Sequence, residues 1–197
     1  MAAATIRPMT GPRAMTEVEI AVAVAEIADA TVDGVIMRVR QPMPDHLAIS
    51  VRKAGKHHEF VVGVAAGMAR IHLARNLPPT PPGPSAFTLR ARKLMRPARL
   101  VAVEQVAGDR IVRIRISGHR EADGRWQSSL IAELFGRGRL LLLDADDRVL
   151  AWHGPGGGRG LVVGAPYTAP PGGRPGGARG GGAGGRGALA APTGPPV

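Results

Sequence analysis

The chain contains no cysteine, which excludes a disulfide framework, a thiolate zinc site and a cysteine nucleophile. No apolar run approaches the ~20 residues needed to span a bilayer. The apolar stretch 18–28 carries Glu19 and Glu26, charges that a signal-peptide core does not tolerate. A cytoplasmic protein with no membrane partner is therefore expected. Acidic residues are scarce: 15 Asp and Glu stand against 26 Lys and Arg, a net charge of +11. That excess favours a polyanionic partner, nucleic acid before an anionic membrane, through counterion release and long-range steering. GC-rich coding would also enrich Arg beside Ala, Gly and Pro, but here the charge is clustered rather than spread.

Catalytic signatures are missing too. There is no GxSxG, no GxxxxGK, no HExxH and no GxGxxG between a strand and a helix, so no nucleophile elbow, phosphate cradle or zinc protease site is present. The histidines His46, His57, His58, His72, His119 and His153 form no helical i, i+4 pair with a nearby carboxylate, and no metal site is expected from them. Asp144, Asp146 and Asp147 lack the spacing and terminal glutamate of a calcium loop and read as turn formers. His57-His58 reads as a solvated hairpin edge. We expect no cofactor and a non-enzymatic protein.

What is present is a basic run from Arg90 to Arg99. Five of its ten residues, Arg90, Arg92, Lys93, Arg96 and Arg99, are basic and none is acidic. An alternating strand follows, then the corner Gly108-Asp109-Arg110, then a strand whose Arg113 and Arg115 share a face. A basic helix end beside an arginine-bearing hairpin suits a phosphate backbone. Arg110 has the geometry to pair bidentately with a phosphate or base edge, with Asp109 orienting it or accepting from a base amino group. The alternative is a turn salt bridge worth ~0–1 kcal/mol, and spacing alone leaves both open.

At 197 residues the chain suits one domain with a proper core. Thr16-Glu17-Val18-Glu19 is a capping box opening a helix to about residue 29 that buries Val18, Val22 and Ala25. Strands are expected over 35–40, 46–52, 59–64 and 70–73, with Lys53-Ala54-Gly55-Lys56 as a hairpin turn. Prolines over 78–84 make a surface crossing. A second helix spans 86–95, and strands resume over 99–106, 110–116, 127–135, 139–144 and 148–152, with a polar turn at 119–124. Strands in runs rather than alternation with helices predict an α+β fold, mostly antiparallel and sandwich-like, with two flanking helices. Residues 1–14 are expected to be a disordered leader and 15–153 the domain. The segment 154–197 holds 17 of the 28 glycines and 8 of the 18 prolines, four arginines and no acidic residue, the composition of a disordered tail. Arg179-Gly180-Gly181 and Arg186-Gly187 are similar to RGG-type RNA-binding segments; a merely solubilising tail is the alternative.

Several blocks in order resemble the N-terminal domain of NFACT proteins, the family of bacterial RqcH-like ribosome-quality-control factors, their eukaryotic relatives, and proteins labelled fibronectin-binding protein A. They are GVIMRVRQP (34–42), ARIHL (69–73), ARKLMRPARL (91–100), EQVAGDRIVRI (104–114), LIAELFGRGRLLLLDADDRVL (130–150) and the segment 166–171. The resemblance implies a fold related to the N-terminal domain of Fpg-type DNA glycosylases, without their chemistry, because the Pro-Glu start is absent. It implies partnership with tRNA and large-subunit ribosomal RNA in rescuing stalled nascent chains. By position the family's tRNA-handling Asp-Arg pair falls on Asp109 and Arg110, its Arg-Lys step on Arg92 and Lys93, and its Glu-x-x-Gly-Arg motif on Glu133, Gly136 and Arg137. Candidate nucleic-acid contacts are thus Asp109, Arg110, Arg92, Lys93, Arg96, Arg99, Arg113, Arg115 and Arg137. Two departures stand out. The family continues His-Ser-Asn after Gly-Arg, where this chain has Gly138-Arg139-Leu140. The helix-hairpin-helix, coiled-coil and RNA-binding modules of longer members are also absent, which leaves three readings of a truncated form, a stand-alone adaptor, a diverged paralogue or a remnant, with a second chain that supplies the missing modules as a candidate partner. The competing readings are a DNA-binding protein of the glycosylase-like fold and a surface adhesin.

Overall fold

The computed structural model describes residues 13–120, 124–155 and 161–170. In order along the chain come α1 (Glu17–Thr31), β1 (Val35–Arg40), β2 (His46–Lys53), β3 (Lys56–Gly63), β4 (Arg70–Ala74), α2 (Ala86–Met95), β5 (Arg99–Gln105), β6 (Ile111–Arg120), β7 (Gly124–Glu133), β8 (Arg139–Leu143) and β9 (Val149–His153). The strands form one sheet in the order β4-β3-β2-β1-β5-β6-β7-β8-β9, antiparallel throughout. Its seam is thin: β1 and β5 share only the register pair Val35↔Arg99, with Ile36 N–H to Ala98 O (2.8 Å) and Leu100 N–H to Gly34 O (2.9 Å) beside it. The sheet therefore has two lobes, β1–β4 and β5–β9. Ile49, Phe60 and Ile71 from the first and Leu100, Ile114, Leu130 and Leu142 from the second meet in one core. This is the sandwich-like α+β arrangement that the strand pattern predicts. The helices close it. Helix α1 packs on β4 and β5, and α2 on β1 and β9, so each reaches from a border strand of one lobe to a border strand of the other.

The capping box at Thr16 forms as expected. Arg13 adds two hydrogen bonds to the Glu19 carboxylate (2.8 and 2.6 Å). Together with Thr16 N–H, they lower the Glu19 carboxyl to about 2. The buried stripe of α1 is not the expected one. Ile20, Ala23, Val24, Ile27 and Thr31 are buried, while Val18 and Val22 are 73% and 57% exposed and Ala25 is exposed too. The helix is apolar on both stripes, and the stripe carrying two isoleucines removes more apolar area from water than the valine stripe does.

Residues Ala54 and Gly55 turn β2 into β3 with φ of 48° and 76°, the left-handed pair of a type I′ hairpin turn. Alanine is poorly suited there. Ala54→Asn is expected to raise stability by about 0.5–1 kcal/mol, seen as a melting temperature higher by roughly 1–4 °C. Asp144 works as a turn former, its Oδ1 accepting from the N–H groups of Asp146 (3.0 Å) and Arg148 (2.8 Å).

The ordered fold extends past the expected boundary at 153. Residues 161–170 lie on the outer face of the second lobe, where Leu161 and Tyr167 pack on a cluster of Ile111, Ile131, Leu141, Leu143 and Val149. Backbone bonds from Val149 N–H to Ala165 O (2.9 Å) and Tyr167 N–H to Asp147 O (2.8 Å) fix the strap. Composition averaged over the glycine-rich segment hides these few apolar residues. The leader 1–12 and the tail over 156–160 and 171–197, with the Arg-Gly repeats, lie outside the described residues. Among the described residues, no helix is long and apolar enough to cross a membrane.

Candidate nucleic-acid interface

The β5–β6 connection is a tight corner. Val106 N–H donates to Ile111 O (2.8 Å) and Asp109 N–H to Val106 O (3.1 Å), with Gly108 supplying the left-handed backbone at φ 74°. Two clamps hold it. Gln105 Nε2 donates to Asp109 O (2.8 Å) and to Glu17 O in the first turn of α1 (3.1 Å). Leu134 N–H, just beyond β7, donates to Arg110 O (2.8 Å). The Asp109 carboxylate accepts from the backbone N–H of Arg110 at 2.7 Å. The turn salt bridge weighed as an alternative is therefore not what this carboxylate makes. Asp109 shapes the corner, and the Arg110 guanidinium lies over the Phe135 ring at 6.0 Å. A cation held on an aromatic face keeps its N–H edge free for an anion.

The next turn along this end of the second lobe is Phe135-Gly136-Arg137-Gly138, closed by Gly138 N–H to Phe135 O (2.9 Å). Arg137 is exposed there. Beside it lies a shallow cavity of about 560 Å³ lined by Glu133, Phe135, Arg137, Arg139 and Pro155. Glu133 is buried and accepts from Tyr167 Oη at 3.2 Å, so it secures the strap rather than facing a ligand. Gly138, which replaces the histidine of the family pattern, has φ 44°, and any Cβ on it would overlap the carbonyl of Val64 on the other lobe.

The remaining expected contacts are dispersed. Arg92 Nε donates to Val39 O (2.8 Å) and anchors α2 on β1. Lys93 is exposed on α2. Arg99 pairs with Asp33 at 3.0 Å. Arg113 pairs with Asp147 (2.8 Å) and Arg115 with Glu104 (2.7 Å). Arg96, exposed at the end of α2, borders a groove on the outer face of the first lobe together with Arg38, His57, His58, Glu59 and Arg75. The structure thus joins Arg110 and Arg137 on adjacent turns and holds Arg92, Arg99, Arg113 and Arg115 with internal partners. Sequence reasoning missed Arg38 and Arg75. Alternation does not find them: a β-bulge between Ile36 and Arg38 breaks the period-2 pattern of β1, and Arg75 lies just past the end of β4.

Comparison with known proteins bears on this arrangement. Residues 16–175 match the family model described as NFACT N-terminal and middle domains. The Rqc2 homolog RqcH of Streptococcus pneumoniae (strain D39) is 28% identical over 155 residues, covering 75% of this chain and 28% of that protein. Ribosome quality control complex subunit 2 of Saccharomyces cerevisiae is 38% identical over 82 residues, 42% of this chain and 7% of that one. Among solved structures, the N-terminal domain of fibronectin-binding protein PavA from Streptococcus pneumoniae matches with a TM-score of 0.69 at 30% identity, over 75% of this chain and 58% of that one. The N-terminal part of the fibronectin/fibrinogen-binding protein of Streptococcus suis matches with a TM-score of 0.73 at 22% identity, over 78% and 60%. The chain spans about 28% of the length of the RqcH relative from Streptococcus pneumoniae.

Proposed function

Because this chain belongs to the family of NFACT N-terminal and middle domains, we propose that it is a non-enzymatic, cytoplasmic RNA-binding module. It works with tRNA on the large ribosomal subunit, in the quality control of stalled nascent chains. The observation that carries this reading is the clamped Asp109-Arg110 corner, whose guanidinium lies over the Phe135 ring at 6.0 Å. A rigid corner loses little entropy when a phosphate or base edge docks. Arg137 on the adjacent turn supplies a second phosphate contact, and Lys93 adds sequence-blind charge. The names of relatives, an RqcH and a ribosome quality control subunit, support the ribosomal setting.

The test is filter binding of tRNA across a salt series, with wild type beside Asp109→Ala/Arg110→Ala. Log affinity is expected to fall with log salt by about 0.9 per phosphate contact on duplex regions, and the double variant to bind roughly tenfold more weakly or worse. A flat salt response, or duplex DNA outcompeting tRNA, overturns the reading. So does capture of immobilised fibronectin by a protein that ignores tRNA.

A further inference from the structure

Several arginines carry a carboxylate partner: Arg13 with Glu19, Arg40 with Glu59, Arg99 with Asp33, Arg113 with Asp147 and Arg115 with Glu104. On the outer face of β1–β4 a groove of about 870 Å³ gathers Arg38, Arg75 and Arg96 from β1, the end of β4 and the end of α2. All three are exposed, and among the described residues none of the three guanidinium groups has an ion pair or hydrogen bond. The groove holds one carboxylate, Glu59, and that group already accepts from Arg40 Nε and Nη2 (3.0 and 2.9 Å) and from Ser50 Oγ (2.8 Å). Three guanidinium groups therefore face one groove whose single carboxylate is already engaged by Arg40 and Ser50, an arrangement that works against the fold by mutual repulsion.

The lining also fits a particular class of polyanion. His57 and His58 enter from β3, and an imidazole donates a hydrogen bond to a phosphate oxygen in either protonation state. Met37 and Leu73, each 37% exposed, supply apolar surface in the same groove. Guanidinium groups for the backbone, with rings and apolar patches for bases and ribose, are what an unpaired nucleic-acid strand requires. An acidic peptide would use the charges and leave the apolar surface idle.

We propose that the groove between Arg38, Arg75 and Arg96 is a second RNA site, one that holds an unpaired strand by its phosphates. It uses none of the groups of the Asp109-Arg110 corner. It rests on the reading that the chain acts on RNA, and the two sites fail separately.

The experiment uses the full chain and a fluorescein-labelled decamer of oligouridylate, with affinity read by anisotropy over a salt series. Arg38→Gln/Arg75→Gln/Arg96→Gln is expected to lose roughly tenfold or more in affinity. Its log–log salt slope should be shallower by about 2, since three lost contacts on a single strand are worth about 0.7 each. Asp109→Ala/Arg110→Ala should lose much less affinity for the decamer than the triple variant does. All three changes are on exposed residues, so a melting temperature no lower than that of wild type confirms that the triple variant folds. Unchanged affinity and slope in the triple variant overturn the proposal. Polyglutamate binding as tightly as oligouridylate to wild type, with the same loss in the triple variant, overturns the assignment to RNA. Loss of tRNA binding in the corner variant alone leaves the proposed function standing and removes the groove from it.

Discussion

Gly138→Ala is expected to destabilise the protein by about 3 kcal/mol or more. Two costs add. At φ 44° the backbone is in the left-handed region, where a Cβ costs about 1 kcal/mol. The added carbon would also overlap the Val64 carbonyl, which is backbone at the end of β3 and is itself placed by Val64 N–H bonding to Asp45 O (2.8 Å). Nothing flexible is available to give way, so the two lobes would have to separate at this point. Gly136→Ala is the control. It shares the positive φ (57°) but has open space at its Cβ position, so only the backbone cost of about 1 kcal/mol is expected. Urea midpoints for the two variants at unchanged m-value check the difference. Equal losses would show that backbone conformation alone, and not lobe contact, governs this turn. The position bears on the proposed RNA contact because Arg137 is displayed by the same turn.

Sequence reading went furthest where a local rule had one solution. The capping box at Thr16, the hairpin turn at Ala54-Gly55 and the helix over 86–95 each follow from a short pattern whose alternatives are sterically poor. It failed where two solutions have similar local energy. Helix α1 offers an isoleucine stripe and a valine stripe, and only the sheet beneath it selects Ile20 and Ile27. The strap 161–170 was hidden because its stabilisation comes from Leu141 and Leu143, residues far away in the chain. The same limit applies to the candidate site. Asp109-Arg110 was legible as a corner, but the Phe135 platform under Arg110 depends on how β7 ends against it. The basic run from Arg90 to Arg99 was legible as charge, yet its members go to four places: Arg92 to Val39, Arg99 to Asp33, Lys93 to open surface on α2, and Arg96 to a groove shared with Arg38 and Arg75. Helical and strand periodicity give a residue's direction, whereas its partners are set by the topology.

Glu59→Gln is expected to move stability and polyanion affinity in opposite directions. The Glu59 carboxylate takes two hydrogen bonds from Arg40 and one from Ser50, and both members of the ion pair are mostly shielded, at 15% and 19% exposure. A glutamine keeps one acceptor oxygen and turns an amide N–H toward the guanidinium. A loss of about 2 kcal/mol follows, less than for a fully buried pair because water reaches this one. The acid limb supplies a second signature. Burial pushes the Glu59 carboxyl up, but the hydrogen bonds from Arg40 and Ser50, with the charges of Arg40 and Arg38, more than offset it and leave the carboxyl below its ordinary value of 4.5. A group depressed in the fold contributes stability that is present above its unfolded pKa and is lost as pH falls through its folded pKa. The variant lacks that contribution, so its loss of stability on acidification should be shallower than wild type below about pH 4.5. In the groove the same change removes the one negative charge and frees Arg40 to join Arg38, Arg75 and Arg96. Oligouridylate should then bind more tightly at low salt, with a steeper salt slope, to a protein that unfolds at lower urea. Weaker binding together with lower stability would mean that the carboxylate organises the groove, and that its arginines do not act as free cations waiting for a strand.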